Sequence, residues 1–104
     1  MIGCTYCGVD KTLKIIGGKW TLLLLHNLFD GDKRFGELQR NLKGVSPKTL
    51  TVRLKELEKK KILKRKIFAE IPLHVEYSLT DKGKSLKGIL VKMAKWGDAF
   101  SQSP

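Results

Sequence analysis

The chain has 104 residues, 41% of them apolar, and 21 Lys and Arg against 10 Asp and Glu, a net charge of +11. That length supports one domain with one modest core, the apolar fraction excludes a wholly disordered chain, and so small a core is often supplemented by dimerisation. Two cysteines are too few for a secreted disulfide scaffold, no apolar run approaches the roughly 20 residues of a membrane span, and no basic-then-apolar leader opens the chain, so a cytoplasmic protein without a membrane partner is expected.

Taken in chain order, Val9–Ile16 reads as a short helix with Leu13 and Ile16 inward, broken by the glycines at 17 and 18. Lys19–Phe29 reads as a second helix. Trp20, Leu23, Leu24 and Leu28 fall on one side of it and Leu22, Leu25 and Phe29 on another, the pattern of a central helix with several neighbours. His26 on this helix reads as a core histidine. DGD at 30–32 ends it, and Lys33–Phe35 is a candidate extended segment. Phe35–Leu42 is a third helix, with Phe35, Leu38 and Leu42 at helical spacing.

Ser46–Lys60 carries the clearest helix start. Ser46 is a capping residue, and Pro47 stands at the first helical position, where the missing N–H costs nothing. Leu50, Leu54 and Leu57 line its buried side. Thr49, Arg53, Glu56 and Lys60 fall to one flank, and Lys48, Val52, Lys55 and Lys59 to the other. Ile62–Phe68 alternates apolar and basic residues, and Val75–Leu79 alternates again, so the two predict a hairpin turned at AEIPL. Thr80 caps a last helix running to about Phe100, with Asp81 in its first turn. Residues 1–8 and 101–104 are expected to be flexible ends of the single domain.

This order is mainly α with a small β-hairpin wing, that of a winged helix-turn-helix. Lys43–Lys66 holds ten Lys and Arg against two acids, a net of +8 out of +11. A positive field draws in polyanions, and double-stranded DNA is the partner expected. A solvated lysine-rich surface is the plain alternative, but it has no need to concentrate charge on one helix and one strand. In a helix-turn-helix the second helix enters the major groove and its early residues reach the bases. Ser46, Lys48, Thr49, Thr51 and Arg53 are the candidates, with Arg53 suited to bidentate contact with guanine. Lys64, Arg65, Lys66 and His74 on the wing, and Lys33 and Arg34 before the third helix, are candidate phosphate contacts.

IIGGKW at 15–20, KRFGEL at 33–38, SPKTLTVRLKELE at 46–58, VEYSLTDKG at 75–83 and the late Trp96 resemble the HxlR-type winged helix-turn-helix regulators of bacteria and archaea. The resemblance covers about residues 7–100. It implies a homodimeric transcription regulator, a repressor by family habit, whose N- and C-terminal helices form the dimer interface. Leu13, Ile16, Leu86, Ile89, Leu90, Met93, Trp96 and Phe100 are the residues of this chain at those positions. The apolar stripe over 86–100, wider than the end of one small domain needs, points the same way from the residues alone. Three positions depart from the family habit: Gly8 follows Cys7 where proline is common, Lys61 stands where glycine often follows the groove helix, and Pro72-Leu73 replaces a proline pair at the wing tip.

Cys4 and Cys7, in CTYC, leave three readings open: a thiol switch, a zinc site completed by a second copy, or ordinary cysteines at a chain end. No metal or other cofactor is expected. Cys7 matches the cysteine with which several relatives of the family sense quinones, aldehydes or oxidants. The resemblance therefore implies a small electrophile or oxidant effector, with Cys4 as a resolving partner. No serine–histidine–acid set and no phosphate-cradling glycine loop appears, so an enzyme is not expected. A different class of function stays open, an architectural protein that binds DNA by charge with little sequence preference.

Overall fold

The computed structural model describes residues 5–101. Cys4 lies outside them. The first helix, α1 (Thr5–Ile16), begins four residues before Val9, so Thr5–Gly8 form its first turn instead of a loose end. It stops where Gly17 N–H donates to the Leu13 carbonyl and Gly18 turns to φ 101°, a conformation that suits glycine. The central helix, α2 (Lys19–Leu28), buries Thr21, Leu24, Leu25 and Leu28. His26, expected in the core, is exposed, because it lies across the helix from Leu24 and Leu28.

Next come β1 (Lys33–Arg34), α3 (Phe35–Asn41), α4 (Pro47–Lys59), β2 (Leu63–Phe68) and β3 (His74–Leu79). The expected hairpin is the larger part of a three-stranded antiparallel sheet in the order β1-β3-β2. Lys33 pairs with Tyr77, Leu63 with Leu79, and Phe68 with His74 at the tip. The core joins Leu24, Leu25 and Leu28 of α2 to Leu38, Leu42, Val45, Leu50, Leu54, Leu57, Ile62, Leu63 and Leu79. Each leucine so buried contributes about 1.5–3 kcal/mol.

Both ends of α4 are closed by hydrogen bonds. At its start the Ser46 hydroxyl accepts from Thr49 N–H at 3.0 Å. At its end Ile62 N–H reaches back to the Leu57 carbonyl and Lys61 N–H to that of Glu58, the paired bonds of a Schellman cap. That cap puts Lys61 at φ 62°, the left-handed region in which a Cβ is strained. Lys61→Gly should therefore raise stability by about 1 kcal/mol, read as a shifted urea midpoint at constant m. No gain would mean the lysine side chain offsets its own backbone strain.

The carbonyls beyond this cap are taken by the next stretch of chain. Lys82 Nζ donates to Lys60, the Thr80 hydroxyl to Lys61 at 2.6 Å, and Thr80 N–H to Ile62. Thr80 also caps α5 (Asp81–Lys84) by accepting from Gly83 N–H. One continuous helix from Thr80 to Phe100 was expected, but two are present. The Ser85 hydroxyl takes the Lys82 carbonyl, and Leu86 N–H bonds one residue short, to Gly83, so the ladder breaks. The chain restarts as α6 (Lys87–Phe100). With α1 and α6 projecting, the radius of gyration is 15.4 Å, against about 13 Å for a compact domain of this size.

Candidate nucleic-acid interface

Helices α3 and α4, joined by a turn with Gly44 at φ 93°, form the helix-turn-helix, and the β2–β3 hairpin follows as the wing. Leu50, Leu54 and Leu57 fix how α4 is rotated, since all three face the core. At 100° per residue the opposite side carries Lys48, Val52, Lys55 and Lys59, and all four are exposed. Ser46 is exposed at the helix start, while Thr49 and Thr51 are half-buried on the two flanks.

Arg53, the residue expected to read guanine, sits closer to the core side. Its guanidinium bonds Glu56 Oε1 at 2.7 Å, and it lines a small polar cleft with Lys14 of α1, Gly17 of the turn that follows and Thr21 of α2. The structure thus engages Arg53 beside α1, and the outward positions fall instead to Val52, Lys55 and Lys59, which were missing from the sequence-based candidates. The signal for them was the helical period itself, measured from the three buried leucines.

The wing cations divide between two faces of the sheet. Lys64 and Lys66 share one face with Glu76 and Ser78, their strand partners, while Arg65 lies on the other, 4.0 Å from Glu58 of α4. Lys66 is 3.9 Å from Asp32, and all three basic side chains stay exposed. His74 is not presented to a phosphate: it is half-buried, stacked on Phe68 at 4.6 Å and 3.1 Å from Glu76 Oε2. Lys33 bonds Asp30 at 2.7 Å and the Gly31 carbonyl, and this partner holds the Asp30 carboxyl below the usual carboxylate range. Lys33 must exchange that partner to reach DNA. Arg34 is exposed at the start of α3, where its N–H is accepted by Glu37.

A second, apolar face is formed by α1 and α6. Leu13 is 58% exposed and Trp96 68%, with Ile89, Met93 and Phe100 beside them in exposure. Ile16 turns into the core at 3%, Leu90 is buried at 9%, and Leu86 packs half-buried on the core, so these three expected interface residues are not part of the exposed row. Tyr6 and Val9 extend the face along α1 beyond the expected set. An open apolar groove of about 440 Å³ runs between α1 and α6, lined by Val9, Leu13, Ile89 and Met93. Cys7, exposed in the first turn of α1 near this groove, is disulfide-bonded.

A basic helix set outward on a helix-turn-helix, with a cationic wing beside it, defines a DNA-binding transcription regulator of the winged-helix class. The HxlR-like helix-turn-helix family model matches residues 15–104, and the chain belongs to that family. It is 40% identical over 94 residues to the uncharacterized helix-turn-helix transcriptional regulator YdeP of Bacillus subtilis, covering 90% of this chain and 73% of that one. Among solved structures, the redox regulator HypR in its oxidized form superposes with a TM-score of 0.87 at 39% identity, over 93% of this chain and all of that one. The reduced form of the transcriptional regulator YodB from B. subtilis gives 0.82 at 36% identity, over 97% of each chain. No helix among the described residues is long and apolar enough to cross a membrane.

Proposed function

We propose that this chain is a homodimeric, sequence-specific transcription repressor whose DNA affinity is set by the redox state of Cys7. The observation that carries the reading is the presence of two distinct surfaces: a row of exposed lysines on the outward side of α4, and a row of exposed apolar side chains on α1 and α6. Such an apolar face is stable in water when a second copy covers it. A two-fold dimer sets two α4 helices about one DNA turn apart and selects a pseudo-palindromic site. Repression needs nothing beyond occupancy of that site.

Two features support the switch. Cys7 stands where α1 begins, and the far end of α1 is tied to the end of α4, since Lys60 Nζ donates to the Lys14 carbonyl at 2.8 Å. A shift of α1 therefore bears on both the apolar face and the groove helix. HypR is described as a redox regulator, and the same inference is drawn here for this chain. Two thiols lose two electrons and two protons to the oxidant as the S–S bond forms, with Cys4 or the dimer mate as second thiol.

The test is binding to the chain's own upstream DNA and to random DNA, reduced and after diamide, with Cys7→Ser alongside. Selective binding in the reduced state, lost with diamide and kept in Cys7→Ser, is the expected result. Selective binding indifferent to diamide removes the switch and keeps the regulator. Equal binding to that DNA, to random DNA and to any sequence drawn from a random library favours the architectural role.

A further inference from the structure

Val52 has no place in the core and none in the apolar face between α1 and α6. It is 43% exposed on the outward side of α4, one turn after Lys48, one turn before Lys55 and Glu56, and opposite the buried Leu50, Leu54 and Leu57. A β-branched residue lowers helix propensity, and an exposed one gains nothing from water, so local structure does not call for valine here. A lysine or alanine would serve a purely electrostatic helix better. The edges of the base pairs in the major groove are polar except at one place, the C5-methyl of thymine, which takes apolar contacts. The lysines around Val52 supply the phosphate and guanine contacts that would bring it to that depth.

We infer that Val52 is a specificity-determining residue that packs on a thymine methyl in each half-site, so that discrimination at that position rests on an apolar contact and not on a hydrogen bond. The inference rests on the reading of α4 as the groove helix. It shifts the centre of base recognition away from Arg53, which Glu56 holds at 2.7 Å beside α1.

The experiment starts from a preferred site selected from a random-sequence library. Each thymine of that site is then replaced by deoxyuridine, which removes the methyl and leaves every hydrogen-bonding group in place. One position in each half-site should weaken wild-type binding about three- to fivefold, and changing both half-sites should weaken it about tenfold or more. Val52→Ala should bind that site more weakly than wild type and be insensitive to uracil at that position alone. Its binding to random DNA should be unchanged, since no charge is lost. Because Val52 is exposed, thermal unfolding of the variant should match the wild type, and this is measured first. If uracil weakens wild type and Val52→Ala equally at every position, or nowhere, the inference falls while the regulator reading stands. If no site is selected from the library, both fall together.

Discussion

Gly83→Ala should lower stability by about 3 kcal/mol, a large loss for the addition of a single methyl group. Gly83 is buried in α5, and a Cβ there would collide with the Ile62 carbonyl oxygen and stand 3.0 Å from Leu79 Cδ2. The carbonyl cannot step aside, because it already accepts from Thr80 N–H at 3.0 Å. The methyl must therefore push α5 off the corner where α4 ends and β2 begins. That corner carries the Schellman cap of α4, the Thr80 cap of α5 and the root of the wing, so the strain spreads over three elements. A melting temperature lower by more than about 10 °C is the reading expected in a scan. Gly88→Ala is the control. Nothing lies within 4 Å of its added Cβ, and in a helix alanine is preferred to glycine. Equal melting temperatures for the two variants would show that the corner relaxes freely.

The corner also shows why some of the architecture was legible in the residues and some was not. α4 was readable at both ends, since Ser46 and Pro47 announce its start and its leucine period leaves only one way to face the core. The strands of the wing were readable from their alternation. The break at Ser85 was not, because SLKGILVKM is a good helical sequence and what interrupts it is a hydroxyl taking one carbonyl, a choice made once Gly83 is seated on Ile62. Likewise β1 is two residues long, too short for a periodic signal, and becomes a strand by pairing with β3.

The candidate site divides along the same line. Its charge was plain in the sequence, for the +8 stretch maps onto α4 and β2. The aim of individual side chains lay in the leucine period of α4, and choosing Arg53 by its chemistry alone passes over that signal. Arg53 had the chemistry of a base reader, but whether an arginine points to DNA or to its neighbours depends on a rotation of about 100° around the helix, fixed by the leucines. His74 stands with the wing cations in the sequence, but its ring stacks on Phe68 and lies 3.1 Å from Glu76 Oε2, a pairing across the strands that the sequence alone does not show.

Met93→Asp should cut affinity for the selected site by at least a hundredfold while leaving the fold intact. Met93 is exposed near the middle of α6 and lines the groove with Leu13 and Ile89. In the single domain an aspartate at this place stays in water and costs little. In the proposed dimer it is carried into an apolar interface, and a carboxylate there is penalised heavily unless it is paired. The chain should then sediment as a monomer near 11.8 kDa. Each half-site would be held by one α4 and one wing alone, and the gain of linked binding, typically 10²–10⁴, would be lost. Far-UV circular dichroism should be unchanged, because the core leucines are untouched, but the melting temperature should lose its dependence on protein concentration. A variant that remained dimeric would move the interface away from α6. A monomer that kept full affinity would mean that one domain supplies the whole recognition, and the two-fold site would have to be abandoned. Met93→Leu keeps the apolar contact at nearly the same volume and should behave as the wild type, so a loss in the aspartate variant alone can be assigned to the buried charge.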